Sequence, residues 1–192
     1  MANKNEFRPD RTGTGFFSHL HLTAKQRRSL LKWTLYALIM LVLSLVQDVI
    51  LSRFRLFGAT TELVPCAIFL ICIMEGTQSG SVFALVSSLF YLFSGTAPGT
   101  YAMALITVLA VLLCVFRQAY LQMGFVACLL CTAICMVLYQ LSIFAIGLFL
   151  ELTIPERIIG FGITAGASLL AVPILYPVFR LIKSLGGDTW KE

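Results

Sequence analysis

The sequence predicts an all-α protein, a polytopic membrane helical bundle of about six transmembrane helices with little mass outside the bilayer. Three observations carry that expectation. Of 192 residues, 59% are hydrophobic and 12% charged, with a mean hydropathy of +0.92, whereas a soluble domain carries about 25% charged residues because its surface faces water. The apolar residues fall into runs separated by short Gly-, Pro- or charge-containing breaks. Seven of the fourteen Lys and Arg residues stand in the first 32 positions, directly ahead of the first apolar run. A chain of this length forms one bundle rather than two domains. It divides into a basic N-terminal arm (1–32), a six-helix transmembrane domain (33–183) and a short tail (184–192).

The arm carries Lys4, Arg8, Arg11, Lys25, Arg27, Arg28 and Lys32. Such an arm can bind nucleic acid, contact anionic lipid or fix topology. Because it runs directly into an apolar segment, topology and anionic lipid are expected here and nucleic acid is not. The stretch ahead of Lys32 is too long and polar for the n-region of a signal peptide, and no small-residue cleavage site closes the following run. From Gly15 to Leu31, Phe and Leu are mixed with a basic cluster, and part of the stretch could lie at the headgroup level as an amphipathic helix. Thr23 reads as the N-cap of a helix continuing into the first span.

Span one is expected over Trp33 to Leu51, close to the roughly 20 residues that cross a hydrocarbon core. Gln47 and Asp48 fall in its last turn, away from mid-bilayer, where a charge is costly. A polar loop with Arg53, Arg55, Gly58 and Glu62 follows. Leu63 to Met74 is too short to cross alone unless protein surrounds it. "EGTQSG", Glu75 to Gly80, reads as a tight turn, and Gly80 to Phe93 is the next apolar stretch. These two segments are either two short spans or a re-entrant hairpin. "SGTAPGT", Ser94 to Thr100, is a turn with two glycines and a proline. Tyr101 to Phe116 is a further span closed by Arg117. Leu121 to Leu150 is long enough for one tilted helix and too short for two, with Gln140 its one strongly polar interior residue. After the loop "ELTIPER", the last span runs from Ile158 to Ile182, with Pro173 and Pro177 distorting its second half.

Counting basic residues tests this layout. With the N-terminus cytoplasmic, inside segments hold eleven Lys and Arg and outside loops hold Arg53, Arg55 and Arg157. The positive-inside asymmetry therefore places both termini in the cytoplasm.

An intramembrane enzyme needs a nucleophile with a base, a metal cluster or a carboxylate pair. The two histidines, His19 and His21, both stand in the arm, so no span supplies a His base or metal ligand. Asp48 and Glu75 come from different segments and read first as helix-end residues bonded to a neighbouring helix or water; a proton relay between them is the sharper alternative. Cys66, Cys72, Cys114, Cys128, Cys131 and Cys135 all fall in apolar runs, where Cys packs as a small apolar residue. Cys128, Cys131 and Cys135 share a helical face, but no His accompanies them. Gly160-x-Gly162-x-x-x-Gly166 lacks the spacing and preceding strand of a dinucleotide fingerprint. Gly162 and Gly166 instead fit the small-residue pattern that lets two helices approach closely. The expectation is a non-enzymatic bundle without catalytic residues, cofactor or metal. Its candidate intramembrane polar residues are Gln47, Asp48, Glu75 and Gln140.

Span one through Arg117 carries a family resemblance. The text "LVQDVILSRFRLFGATTELVP", with Gln47, Arg53, Leu56, Phe57, Gly58 and Pro65, is followed by a short apolar helix, then Gly76 and Gly80, then "LFYLFSGTAPGTYAMALI" with Ser94-Gly95, Pro98-Gly99 and Tyr101-Ala102. This pattern resembles MreD, the membrane component of the bacterial rod-shape (elongasome) machinery. It covers a little over a third of the chain. The sequence departs from the family where an acidic residue often precedes the Ser-Gly turn; Tyr91 and the Ser87-Ser88 pair occupy that region here.

The resemblance implies a non-enzymatic scaffold of the bacterial plasma membrane. Such a scaffold binds the bitopic partner MreC and helps couple MreB filaments to peptidoglycan synthesis by the cell-wall elongation complex. Candidate partner surfaces are the loop from Gly58 to Pro65 and the face of Gly162 and Gly166. The family is similar in fold to the substrate-binding S components of energy-coupling-factor vitamin transporters, which gives a second reading. Those couple through Ala-x-x-x-Ala in the first span, whereas Ala37 is the sole alanine of span one here, so the scaffold reading leads.

Overall fold

The structure is a computed structural model and describes residues 24–51, 53, 61–95, 97–120 and 124–185. These residues are helical, with no strand among them: α1 (Ala24–Val46), α2 (Leu63–Glu75), α3 (Thr77–Phe93), α4 (Thr100–Tyr120), α5 (Phe125–Phe149), α6 (Ile158–Leu169) and α7 (Val172–Leu185). Three helical stretches are long and apolar enough to cross a membrane: Gln26–Leu51, Thr100–Gln118 and Phe125–Phe149. The pair Pro155–Leu169 and Val172–Leu185, bent by 42°, is a broken span or a re-entrant loop, and makes a fourth crossing if it counts as one span. α2 and α3 are shorter apolar helices.

The distribution of side chains is the reverse of a soluble bundle. On α1, Lys32, Tyr36 and Met40 point inward at helical spacing, and Gln47 is buried in the turn that follows. The opposite face exposes Leu38, Leu41, Val42 and Leu45. α4 exposes Val108, Leu112 and Val115, and α5 exposes Ile134, Val137 and Leu141. Contiguous apolar surface of this extent is not stable in water and marks contact with lipid or partners. Thr23, the expected cap of α1, lies outside the described residues. α1 begins at Ala24, so the last part of the basic arm is already helix and Lys32 belongs to the bundle.

α2 is the axis of the fold. Every residue from Val64 to Met74 is buried, and α1, α3, α4, α5, α6 and α7 all pack on it. A helix apolar all round is stable only when enclosed. This explains how a 13-residue segment, too short to span a bilayer alone, sits here without facing lipid.

The expected turn over Glu75 to Gly80 is corrected. Gly76 alone joins α2 to α3, at φ +95, a left-handed conformation open to glycine and strained for other residues. α3 starts at Thr77, so Gly80 is helical, and its role is close approach. A Cβ there would stand 3.1 Å from the Cys72 carbonyl oxygen and 3.2 Å from Cys114 Sγ. α3 returns to α4 through a turn in which Gly95 has φ +77, and Ser88 and Thr107 bond across the helix pair at 3.0 Å.

α5 is one unbroken helix of 25 residues, about 37 Å long at 1.5 Å per residue. Its end is closed by the Gly147 carbonyl, which accepts from the N–H groups of Leu152 and Thr153 at 2.8 and 3.2 Å. The break in the final span falls at Leu170 and Ala171, just ahead of Pro173. Proline has no N–H to offer the Leu169 carbonyl, and its ring crowds that oxygen, so α6 ends there. Pro173 then fits the first turn of α7, while Pro177 is carried inside that helix.

Candidate functional site

The two ends of α2 collect the buried polar groups, and they differ in how completely those groups are satisfied. At its C-terminal end, Lys32 of α1 forms an ion pair with Glu75 Oε2 at 2.5 Å, and both side chains are nearly fully buried. Lys32 and Tyr36 are one helical turn apart, so both reach the same carboxylate. The Tyr36 hydroxyl donates to Glu75 Oε1 at 2.7 Å, so both carboxylate oxygens are engaged. The Lys32 ammonium also sits 5.0 Å from the centre of the Trp33 ring. Trp33, Tyr36 and Phe83 pack against one another, and Tyr36 meets Phe179 of α7 edge-on. Lys183 of α7 donates to the Met74 carbonyl at 2.8 Å, a favourable place for a cation because the last carbonyls of a helix lack intrahelical donors.

At the N-terminal end, the last turn of span one widens into a π-turn over Gln47–Leu51. Such turns are frequent at functional sites. Gln47 is buried, and its Oε1 accepts from the Val64 N–H at 3.0 Å. Glu62 occupies the N-cap position but makes no side-chain cap bond, so Gln47 caps α2 from another element. The Glu62 N–H donates to Ser168 Oγ at 2.9 Å, tying α6 to the same point.

Around this cap a polar group is contributed by each of several helices. The Glu62 carboxyl group faces the Gln140 amide and the Tyr139 hydroxyl of α5. The Tyr91 hydroxyl of α3 faces Gln47 and Tyr139, with Glu62 and Asp48 within electrostatic range. These groups lie within reach of one another, yet Glu62 Oε2, the Tyr91 and Tyr139 hydroxyl oxygens and Gln140 Nε2 are buried without a partner in good hydrogen-bond geometry among the described residues. Leaving a buried polar group unsatisfied costs about 1–3 kcal/mol, so four gathered at one point mark a place that a bridging water or a small polar ligand would complete.

The sequence-predicted residues distribute as follows. Gln47, Asp48 and Gln140 come together at the N-terminal end of α2, and Glu75 stands at the other end. The length of α2, roughly 18 Å, separates Asp48 from Glu75, so the two carboxylates do not form a common relay. Pro65 is buried in the first turn of α2 and presents nothing to a partner, which corrects that part of the expected partner surface. Gly58 lies outside the described residues. Gly162 and Gly166 are exposed on α6, and a Cβ at either would meet nothing within 4 Å among the described residues; Gly80, by contrast, stands where α3 closely approaches α2 and α4. All six cysteines are buried free thiols, and no cluster of three or more His, Cys, Asp or Glu able to hold a metal occurs among the described residues.

Sequence reasoning missed Lys32, Tyr36, Glu62, Tyr91 and Tyr139 as site residues. The i, i+4 spacing of Lys32 and Tyr36 was a usable signal, as was the adjacent Tyr139-Gln140 pair inside an apolar helix. No family model matches the chain, and no curated protein or solved structure gives a significant match.

Proposed function

We propose that this protein is a non-enzymatic membrane scaffold of the MreD type. In this reading it is a six-span bundle of the bacterial plasma membrane with both termini cytoplasmic, receiving the transmembrane helix of an MreC-like bitopic partner within the elongation machinery. The observation that carries it is the outer face of α6. Thr164, Ala165 and Ser168 turn inward, and the outward face has Gly162 and Gly166 open, with Ile158, Ile159 and Leu170 exposed near its two ends. A helix bared of side chains lets a second backbone approach closely in lipid, and nothing among the described residues uses that approach.

The test is substitution of both glycines by Leu. Because each side chain would enter open space, the double variant should express and unfold like the wild type, within about 0.5 kcal/mol. Capture of the partner should fall at least about tenfold, equivalent to 1.4 kcal/mol. Unchanged capture by a folded double variant would remove this face from the proposal.

A second reading, a substrate-binding S component of an energy-coupling-factor-type transporter, is favoured by the unsatisfied polar cluster around Glu62, Tyr91, Tyr139 and Gln140. A bundle that needs only rigidity has no use for four unsatisfied buried polar atoms in one place, whereas a solute site does.

A further inference from the structure

We propose that the end of the bundle where Lys32 pairs with Glu75 binds the phosphate of an anionic lipid headgroup, with Arg117 as its principal ligand. The inference rests on that end lying at headgroup level in a membrane. It is distinct from lipid contact by the N-terminal arm, because it uses residues of the packed bundle.

Three basic side chains from three helices gather around the end of α2: Lys32 of α1, Arg117 of α4 and Lys183 of α7, with Arg180 on the same end of α7. Glu75 is the one described carboxylate there; Asp48, Glu62, Glu151 and Glu156 belong to the opposite end of the helices. Glu75 is already saturated, with Oε2 on Lys32 and Oε1 on Tyr36. Among the described residues Arg117 therefore has no carboxylate of its own, although Glu75 lies within electrostatic range of it. Its Nη1 is buried and has no hydrogen-bond partner among the described residues.

The guanidinium is held in place by packing. Nη1 stands 3.4 Å from where a Cβ of Gly76 would lie, an ordinary contact distance, so the guanidinium packs against the turn that joins α2 to α3. Arg180 is exposed one helical turn before Lys183 on α7. A half-exposed guanidinium with no carboxylate of its own among the described residues, flanked by further cations at the ends of transmembrane helices, is the arrangement that takes a phosphate monoanion or diester. Basic pockets between helices at this depth bind anionic headgroups.

The experiment reconstitutes the full chain in phosphatidylcholine nanodiscs with and without phosphatidylglycerol and counts lipid retained by native mass spectrometry. The wild type should retain phosphatidylglycerol about fivefold over phosphatidylcholine, the ratio expected from about 1 kcal/mol for one well-placed basic residue. Arg117→Gln should abolish the preference. Arg117→Lys, which keeps the charge and loses the fork, should lower it, and provides the same test if the Gln variant does not fold. Lys4→Gln, Arg8→Gln and Arg11→Gln together should leave it intact. A preference unchanged in Arg117→Lys, or lost with the arm substitutions, would overturn the proposal. Protection by inorganic phosphate without retention of phosphatidylglycerol would overturn its lipid source. A chain that stays in solution without detergent would overturn the membrane reading instead, whatever lipid it retains.

Discussion

Replacing Glu75 by Gln should destabilise the bundle by about 3–5 kcal/mol, the usual cost of removing one partner of a buried ion pair. The Lys32 ammonium would keep its charge in a site from which water is excluded, with only the Trp33 ring and a neutral amide beside it. Lys32→Met should cost somewhat less, because Tyr36 still donates to the carboxylate and Arg117 lies within electrostatic range of it. The double substitution Lys32→Met with Glu75→Leu should recover most of the loss, because two apolar residues remove the charge problem altogether. Tyr36 then has an alternative acceptor, since the Phe179 carbonyl already lies 3.5 Å from its hydroxyl. Unfolding in mixed micelles, run as a double-mutant cycle, reads all four proteins. Single variants within about 1 kcal/mol of the wild type would mean that the pair behaves as an exposed one.

Gly80→Leu should cost at least about 2–3 kcal/mol, toward the upper end of overpacking effects. The Leu side chain must displace the Cys72 backbone or the Cys114 thiol, which stand 3.1 and 3.2 Å from the Cβ position. Backbone cannot yield without moving α2, and α2 is held on every side. Gly80→Ala should cost less, because shifts of a few tenths of an ångström suffice. The contrast with Gly162 and Gly166 is the useful part. All three sit on helices and share a small-residue pattern, yet only Gly80 should respond in the stability of the isolated chain. Measured next to one another in the same micelles, equal effects at the three positions would contradict the packing described here.

Why some of this was legible in the sequence and some was not follows from how far apart the determinants lie. Runs such as "WTLYALIMLVLSLV" and "ACLLCTAICMVLYQLSIFAIGLF" specify long apolar helices locally, because no alternative partner satisfies their backbone in lipid. Pro173 is equally local: its missing N–H sets the end of α6. Glu75 to Gly80 misled because Gly, Thr, Gln and Ser together resemble a turn, whereas a single left-handed Gly76 makes the reversal and leaves the rest to the helix. Lys32 misled for a different reason. It follows a basic cluster, and its partner stands 43 residues away, so only the packing of α1 on α2 shows that it is buried. The polar cluster around Glu62 was half visible. Gln47 and Gln140 stand out as polar letters in apolar runs, but Tyr91 and Tyr139 read as ordinary core or interface aromatics until α3 and α5 bring their hydroxyls to the end of α2.

Purification of the detergent-solubilised chain from its native membrane, with identification of the proteins that accompany it, tests the scaffold proposal most directly. A scaffold of the MreD type predicts recovery of a single-span coiled-coil protein together with wall-synthesis enzymes. Recovery of ATPase subunits with a shared coupling subunit would contradict it, and would make the Glu62 cluster a transporter's solute site.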